Sequence, residues 1–176
     1  PQDISGYINL LGGEKVFANK LDSIFEAVSK TTGRDQSDIT GLIGQYAHGN
    51  EPSHHMAYLY AWTSQPWKTQ YYCDSILNTL YTNAPDGLSG NEDCGQMSAW
   101  YVLSASGLHP ACPGDNRYEI FSPIFDEIRI RLDAEYAGGG EFTILAVNNS
   151  HANRYIQSAM LNGKPWNRCH IEHDTI

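Results

Sequence analysis

Cysteine is scarce in this 176-residue chain: Cys73, Cys94, Cys112 and Cys169 stand alone, with no CxxC pair among them. That spacing gives no zinc-ribbon signature and admits one disulfide or none. Basic residues are scarce as well. Lys and Arg total 11 against 20 Asp and Glu, a formal charge of −9. Such a surface repels phosphate backbones, so nucleic acid is excluded as an expected partner, and no basic stripe points to a membrane surface. Long apolar runs are missing too, so nothing is expected to span a bilayer. Disorder is excluded by the balance of 41% apolar to 18% charged residues, an ordinary globular mixture. The opening Pro1-Gln2-Asp3-Ile4 lacks both an initiator Met and a signal peptide, which leads to the expectation of a piece cut from a longer polypeptide.

What is present divides by period. Val16, Phe17, Leu21, Ile24, Phe25 and Val28 recur at helical spacing after the Gly12-Gly13 break. Thr31 to Thr40 reads as a polar loop. Asn50 or Glu51 can cap a helix running to about Trp62, with Pro52 in its first turn. A third helix is predicted from Pro66 to about Tyr81, and a fourth from about Asp93 to Ser106, stopped by Gly107. After Pro110 the period falls to two. Glu127 to Leu132 alternates strictly, as do Phe142, Ile144 and Ala146, with Gly138-Gly139-Gly140 as the hairpin turn between them. Tyr155 to Leu161 reads as another strand, turning at Asn162-Gly163. The expected fold is mainly α with a small antiparallel β part, divided into a helical segment 1–110 and a β region 111–176.

Two turn-to-helix junctions gather polar residues that a core has no use for. One is His48-Gly49-Asn50-Glu51-Pro52-Ser53-His54-His55. The other runs from Gly87 to Trp100 and contains Asn91-Glu92-Asp93-Cys94-Gly95-Gln96. Each places carboxylates where glycine frees the backbone and a helix N-terminus supplies amide donors. Carboxylate and amide oxygens are hard ligands that suit calcium or sugar hydroxyls. The competing explanation at both sites is plain helix capping.

These stretches, in their order and spacing, closely resemble glycoside hydrolase family 92, calcium-dependent inverting α-mannosidases. The resemblance is carried by Gly12-Gly13, the two junctions, Pro66-Trp67-Lys68-Thr69-Gln70, Gly107-Leu108-His109-Pro110, Ser122-Pro123, Asn148-Asn149-Ser150 and Tyr155-Ile156-Gln157-Ser158. It implies the final helices of an (α/α) barrel followed by closing β-strands, with an N-terminal β-sandwich and the other barrel helices elsewhere in the same polypeptide. It implies Asp93 as general base, with Glu92 or the Asn91 position assisting, and a general acid upstream of Pro1. It also implies Ca²⁺, with Asn50 and Glu51 contributing to its site, and mannose-containing glycans, α-1,2-linked, as substrates. Relatives of this kind are periplasmic, surface-attached or secreted.

Inverting hydrolysis needs two carboxyl groups roughly 6.5–9.5 Å apart, one to protonate the leaving oxygen and one to activate water on the opposite face. The chain holds no match for the acid, so alone it is expected to be inactive. His48, His54, Trp67, Gln96 and Trp100 are the candidate substrate-binding residues. Each has a competing structural role: a satisfied histidine, a core tryptophan, or a glutamine that orients Asp93. Zinc is a poor fit, since no HExxH spacing exists, and Cys94 has no placed histidine to make it a nucleophile. The alternative to an enzyme piece is a non-catalytic carbohydrate-binding or interaction module.

Overall fold

The computed structural model describes residues 2–34, 36 and 39–176; within the expected loop at 31–40, Asp35, Ser37 and Asp38 lie outside the described residues. Two helices open the chain: α1 (Ile4–Leu10) and α2 (Glu14–Phe25). Gly12 and Gly13, at φ +98° and +102°, turn the chain between them. Asp3 caps α1 through its side chain, 2.7 Å from the Gly6 N–H, so a helix begins before the Gly-Gly break where the apolar pattern is too short to announce one. On α2, Phe17, Ala18, Leu21 and Phe25 form the buried face. A small hairpin follows, β1 (Leu42–Ile43) with β2 (Tyr46–Ala47).

The segment expected as a helix from Asn50 to Trp62 is instead two 3₁₀ stretches, Glu51–Ser53 and Met56–Trp62. Four consecutive residues, Ala57 to Tyr60, are buried. Such a run cannot lie on one face of an α-helix, so enclosure by neighbouring elements sets its form. Helix α3 (Trp67–Thr79) packs along it. The core here is aromatic. Phe25 stacks on Tyr72 at 4.0 Å and on Tyr46 at 4.9 Å between ring centroids, and Tyr60 stacks on Tyr72 at 5.6 Å. Helix α4 (Gln96–Ala105) starts three residues later than its pattern predicts. Gly107, φ +78°, ends it as expected, and a Cβ there would lie 2.6 Å from the Phe121 carbonyl oxygen.

Beyond α4 the chain is antiparallel. Strands β3 (Leu108–His109), β4 (Arg117–Ile120) and β9 (His170–Glu172) form one sheet in that order. Strands β5 (Glu127–Arg131) and β6 (Glu141–Leu145) pair as the alternation predicts, with Ile128 opposite Ile144 and Ile130 opposite Phe142. Of the strand expected from Tyr155, only Met160–Leu161 pairs (β7), with β8 (Lys164–Pro165) across the Asn162-Gly163 turn. Pro110 marks no break in packing: β3 pairs across it, and the helical core continues to Ala111, Cys112 and Phe121. The sheet is fastened to the 3₁₀ segment by Glu119. This fully buried carboxylate accepts from Trp62 Nε1 at 2.6 Å and Arg117 Nε at 2.8 Å, while the guanidinium lies 3.6 Å from the Trp62 ring centroid. All four cysteines are free thiols.

Candidate active site

The two polar junctions meet backbone to backbone. The His48 and Gly49 N–H groups donate to the Gly41 and Thr40 carbonyls, both at 3.1 Å. Gly90, at φ +80°, passes so close that a Cβ on it would lie 2.8 Å from the Gly49 carbonyl oxygen. Gly90 is therefore a requirement of this close crossing.

Just before α4, Asp93, Cys94 and Gly95 take left-handed backbone in succession, at φ +50°, +58° and +92°. For residues with a Cβ this costs on the order of 1–2 kcal/mol each, and such conformations persist where the surroundings impose them. Glu92 supplies part of that constraint. Its carboxylate accepts from the Ser98 N–H at 3.1 Å and from Ser98 Oγ at 2.9 Å, and so does the work of a cap inside the first turn of α4. Asp93 caps nothing and stays exposed. Capping, the competing explanation for this motif, thus falls to Glu92, whose carboxylate is occupied by the helix.

The Asp93 carboxyl meets that of Glu51 on the first 3₁₀ turn. The hydrogen bond to Glu51, then desolvation, then Glu51's charge raise the Asp93 pKa above its ordinary value. Glu51 Oε1 is buried and has no hydrogen-bond partner among the described residues, an arrangement that is rare without a ligand or water to satisfy it. Asn50 precedes it and does not use its side chain to cap the turn. This hard-oxygen set fits calcium by donor chemistry. It is only part of a cage, because no group of three or more His, Cys, Asp and Glu suited to a metal occurs among the described residues.

Behind the carboxyl pair lies a buried histidine–tyrosine–tryptophan cluster. Tyr46 Oη is 2.8 Å from His48 Nδ1, His48 Nε2 is 2.6 Å from Tyr81 Oη, and Tyr81 Oη donates to the Met97 carbonyl at 3.2 Å. Because Tyr81 spends its proton on Met97, it accepts from His48 Nε2–H, and His48 Nδ1 accepts from Tyr46. Burial lowers the His48 pKa to about 3, with His54 adding to the effect. His48 is therefore a neutral core residue with both ring nitrogens engaged, and the expected sugar contact has no free atom to make it. Trp100 is likewise 1% exposed, and its Nε1 donates to the His54 carbonyl at 3.1 Å. Both residues shape the site from behind. Tyr46 and Tyr81 were not anticipated, since no spacing in the sequence links them to the two motifs, and Ser98, inside the second motif, was given no role of its own.

His54, 3% exposed, bonds through Nε2 to the His48 carbonyl at 2.9 Å, and its Nδ1 lies 3.2 Å from Gln96 Nε2. Gln96 is thus tied to His54; only its backbone N–H reaches the Asp93 carbonyl, at 3.2 Å. Trp67 is set apart. It begins α3, whereas Tyr81 of the buried cluster follows the end of that 13-residue helix, roughly 20 Å away along its axis. There Trp67, 48% exposed, lines an open cleft of about 470 Å³ with Glu26, Lys68, Tyr71 and Tyr155.

An exposed carboxylate held off its helix, with a second carboxyl raising its proton affinity, is equipped to act as a general base. The chain belongs to glycosyl hydrolase family 92: the model of that family's catalytic domain matches residues 1–176. It is 41% identical, with a TM-score of 0.89, to a family GH92 α-mannosidase of Bacteroides thetaiotaomicron solved in complex with mannoimidazole, covering 100% of this chain and 22% of that one. A GH92 inverting mannosidase of B. thetaiotaomicron VPI-5482 is 37% identical with a TM-score of 0.80, covering 99% and 24%. A protein of Arthroderma benhamiae, described as an uncharacterized secreted glycosidase, is 32% identical over 176 residues, 99% of this chain and 20% of that protein. The chain thus spans about a fifth of the length of these relatives. No helix among the described residues is long and apolar enough to cross a membrane.

Proposed function

We propose that this chain supplies the general-base side of an α-mannosidase active site, working by calcium-dependent inversion on mannose-containing, α-1,2-linked glycans. The observation that carries the reading is the meeting of Glu51 and Asp93, with a buried unpartnered oxygen on one and a strained backbone beneath the other. Membership of family 92 and likeness to a mannosidase described as inverting support it. The remainder of the complete polypeptide, an N-terminal β-sandwich and further barrel helices, contributes the general acid and the other walls. Its relative described as secreted supports a site of action outside the cytoplasm.

Asp93 accepts a proton from the attacking water. Its neighbour Glu51 raises its proton affinity, which makes it a stronger base once ionised. The left-handed turn holds the carboxylate off the helix, and Glu92 keeps that turn anchored by its bonds to Ser98. Glu51 and Asn50 are the residues that would hold calcium, and the ion's contribution when bound is to polarise and orient sugar hydroxyls. The general acid, roughly 6.5–9.5 Å across the scissile bond, protonates the leaving oxygen.

The experiment is turnover of an aryl α-mannoside by the complete polypeptide, with proton NMR reading the anomer first formed. The β-anomer and loss of rate with a calcium chelator are expected; release of the α-anomer would refute inversion. By itself the 176-residue chain should turn over nothing, since general acid catalysis typically supplies about 10²–10⁴-fold. A second reading, a carbohydrate-binding module without catalysis, draws on the aromatic cleft at Trp67, Tyr71 and Tyr155. It requires mannoside binding by the chain alone, lost on Trp67→Ala.

A further inference from the structure

The Glu51–Asp93 contact is one of two rungs between the same pair of turns. The His54 N–H donates to the Glu51 carbonyl at 3.0 Å, and the Gln96 N–H donates to the Asp93 carbonyl at 3.2 Å. One turn beyond each carboxyl, the side chains of His54 and Gln96 form the second rung, 42 positions apart in sequence.

The polarity of this rung follows from its partners. The His48 carbonyl can only accept, so His54 Nε2 carries a proton. His54 is 3% exposed and its ring is enclosed by the His48 and Trp100 rings, surroundings that favour its neutral form and leave Nδ1 with a lone pair. Gln96 must therefore donate to Nδ1, and its carboxamide cannot be the other way round. The NH₂ is held inward at 3.2 Å. Oε1 points away from the ring, on a residue that is exposed, and no described residue donates to it. His54 cannot reach a ligand itself: it is 3% exposed, stacked on His48 at 4.8 Å, and pinned by Trp100 at its own carbonyl.

We infer that His54 is a positioning residue that locks the Gln96 carboxamide with its oxygen outward, as a fixed acceptor for one hydroxyl of the bound sugar. This rests on the reading of the site as a mannosidase. A freely rotating amide offers either a donor or an acceptor; a locked one rejects a partner that cannot donate. The lock selects for a hydroxyl at one ring position and adds little to bond cleavage.

The test separates the two nitrogens of His54 in the complete polypeptide. In His54→Asn the Oδ1 stands near the place of Nδ1 and still accepts from Gln96. In His54→Gln the amide reaches the place of Nε2 and keeps the tether to His48, but offers Gln96 no acceptor. With an aryl α-mannoside, H54Q should raise KM about 3–10-fold with kcat within about twofold, and H54N should recover most of that rise. Q96L should match H54Q, and the double variant H54Q/Q96L should be no worse than either alone. Among monodeoxy mannosides, the one lacking the partner hydroxyl should be indifferent to Q96L. Equal impairment by H54N and H54Q, additive losses, or losses that follow the melting temperature would overturn the inference while leaving the mannosidase intact. A wild-type enzyme that cleaves no α-mannoside would instead sink the reading of the site, and the inference with it.

Discussion

The helical region and the C-terminal strands bury their apolar residues to very different degrees. From Ile4 to Ala105, Tyr46, Tyr58, Tyr60, Cys73, Ile76 and Met97 are fully enclosed. Beyond Ile124, by contrast, Tyr136 and Val147 are 86% exposed, Met160 70% and Leu145 68%. The difference follows from element type. A helix or 3₁₀ segment satisfies its own backbone, so it can be enclosed on all sides. A two-stranded hairpin such as β5–β6 or β7–β8 leaves both edges open and has little independent stability. The candidate site sits on turns rooted in the enclosed region, where strain at Asp93 and Cys94 can be supported.

The largest effect that tests this contrast is at Asp93. In the complete polypeptide, Asp93→Asn keeps the side-chain shape but cannot take a proton from water, so kcat should fall about 10²–10⁴-fold while KM changes far less. The melting temperature should hardly move, because Asp93 caps no helix. A normal kcat would remove it from catalysis, and a large drop in melting temperature would show that it carries structure after all.

Next in size is Trp100. It is 1% exposed and backs the His48 and His54 rings and Tyr81. Trp100→Ala should cost about 3–5 kcal/mol, read by denaturant unfolding. A cost below about 1 kcal/mol would mean that this core is not the rigid part of the comparison.

Acid sensitivity is a smaller effect of the same core. The pKa of His48 is lowered to about 3 and that of His109 to about 4, both chiefly by burial. In the unfolded chain both titrate near 6.5. Since the unfolded state binds the extra protons, their contribution is complete above about pH 6.5 and is lost as pH falls towards 4 and then 3. Each contributes a slope of at most about 1.4 kcal/mol per pH unit. His48→Gln should flatten the dependence of unfolding free energy on pH between about 6 and 4. An unchanged slope would contradict a neutral buried His48.

Much of this was legible in the sequence. The alternation at 127–132, the turn at Asn162-Gly163 and the stop at Gly107 state their geometry in local chemistry, and the structure keeps all three. The segment 51–62 did not, because Ala57 to Tyr60 are buried from every side by elements distant in sequence, and local propensity yields to that enclosure. Polar motifs around Glu51 and Asp93 were visible as motifs. That Glu92 would cap α4 and free Asp93 was not, for it depends on three successive left-handed residues, two of which carry a Cβ. The Tyr46–His48–Tyr81 chain was equally hidden, since its members belong to three segments with no common period.

The smallest expected effect lies on the open side of the comparison, at Leu145. It sits at the end of β6 opposite Glu127, on the hairpin face that also carries Arg129, Arg131, Glu141 and Thr143. With 68% of its surface in water, it has little transfer free energy to lose. Leu145→Thr keeps a residue that suits a strand and removes apolar surface from a polar face. In the chain alone the melting free energy should shift by less than about 0.5 kcal/mol, as for ordinary surface substitutions. Ile144 is the internal control. It faces Ile128 on the half-buried side, and Ile144→Thr exchanges an apolar contact for a hydroxyl, so it should cost more than its neighbour does. If the two substitutions prove equal, the hairpin has no inside and outside, and the burial contrast fails at this end of the molecule. If Leu145→Thr is neutral in the chain alone but costs 1 kcal/mol or more in the complete polypeptide, then this face is one that the remainder of the protein covers.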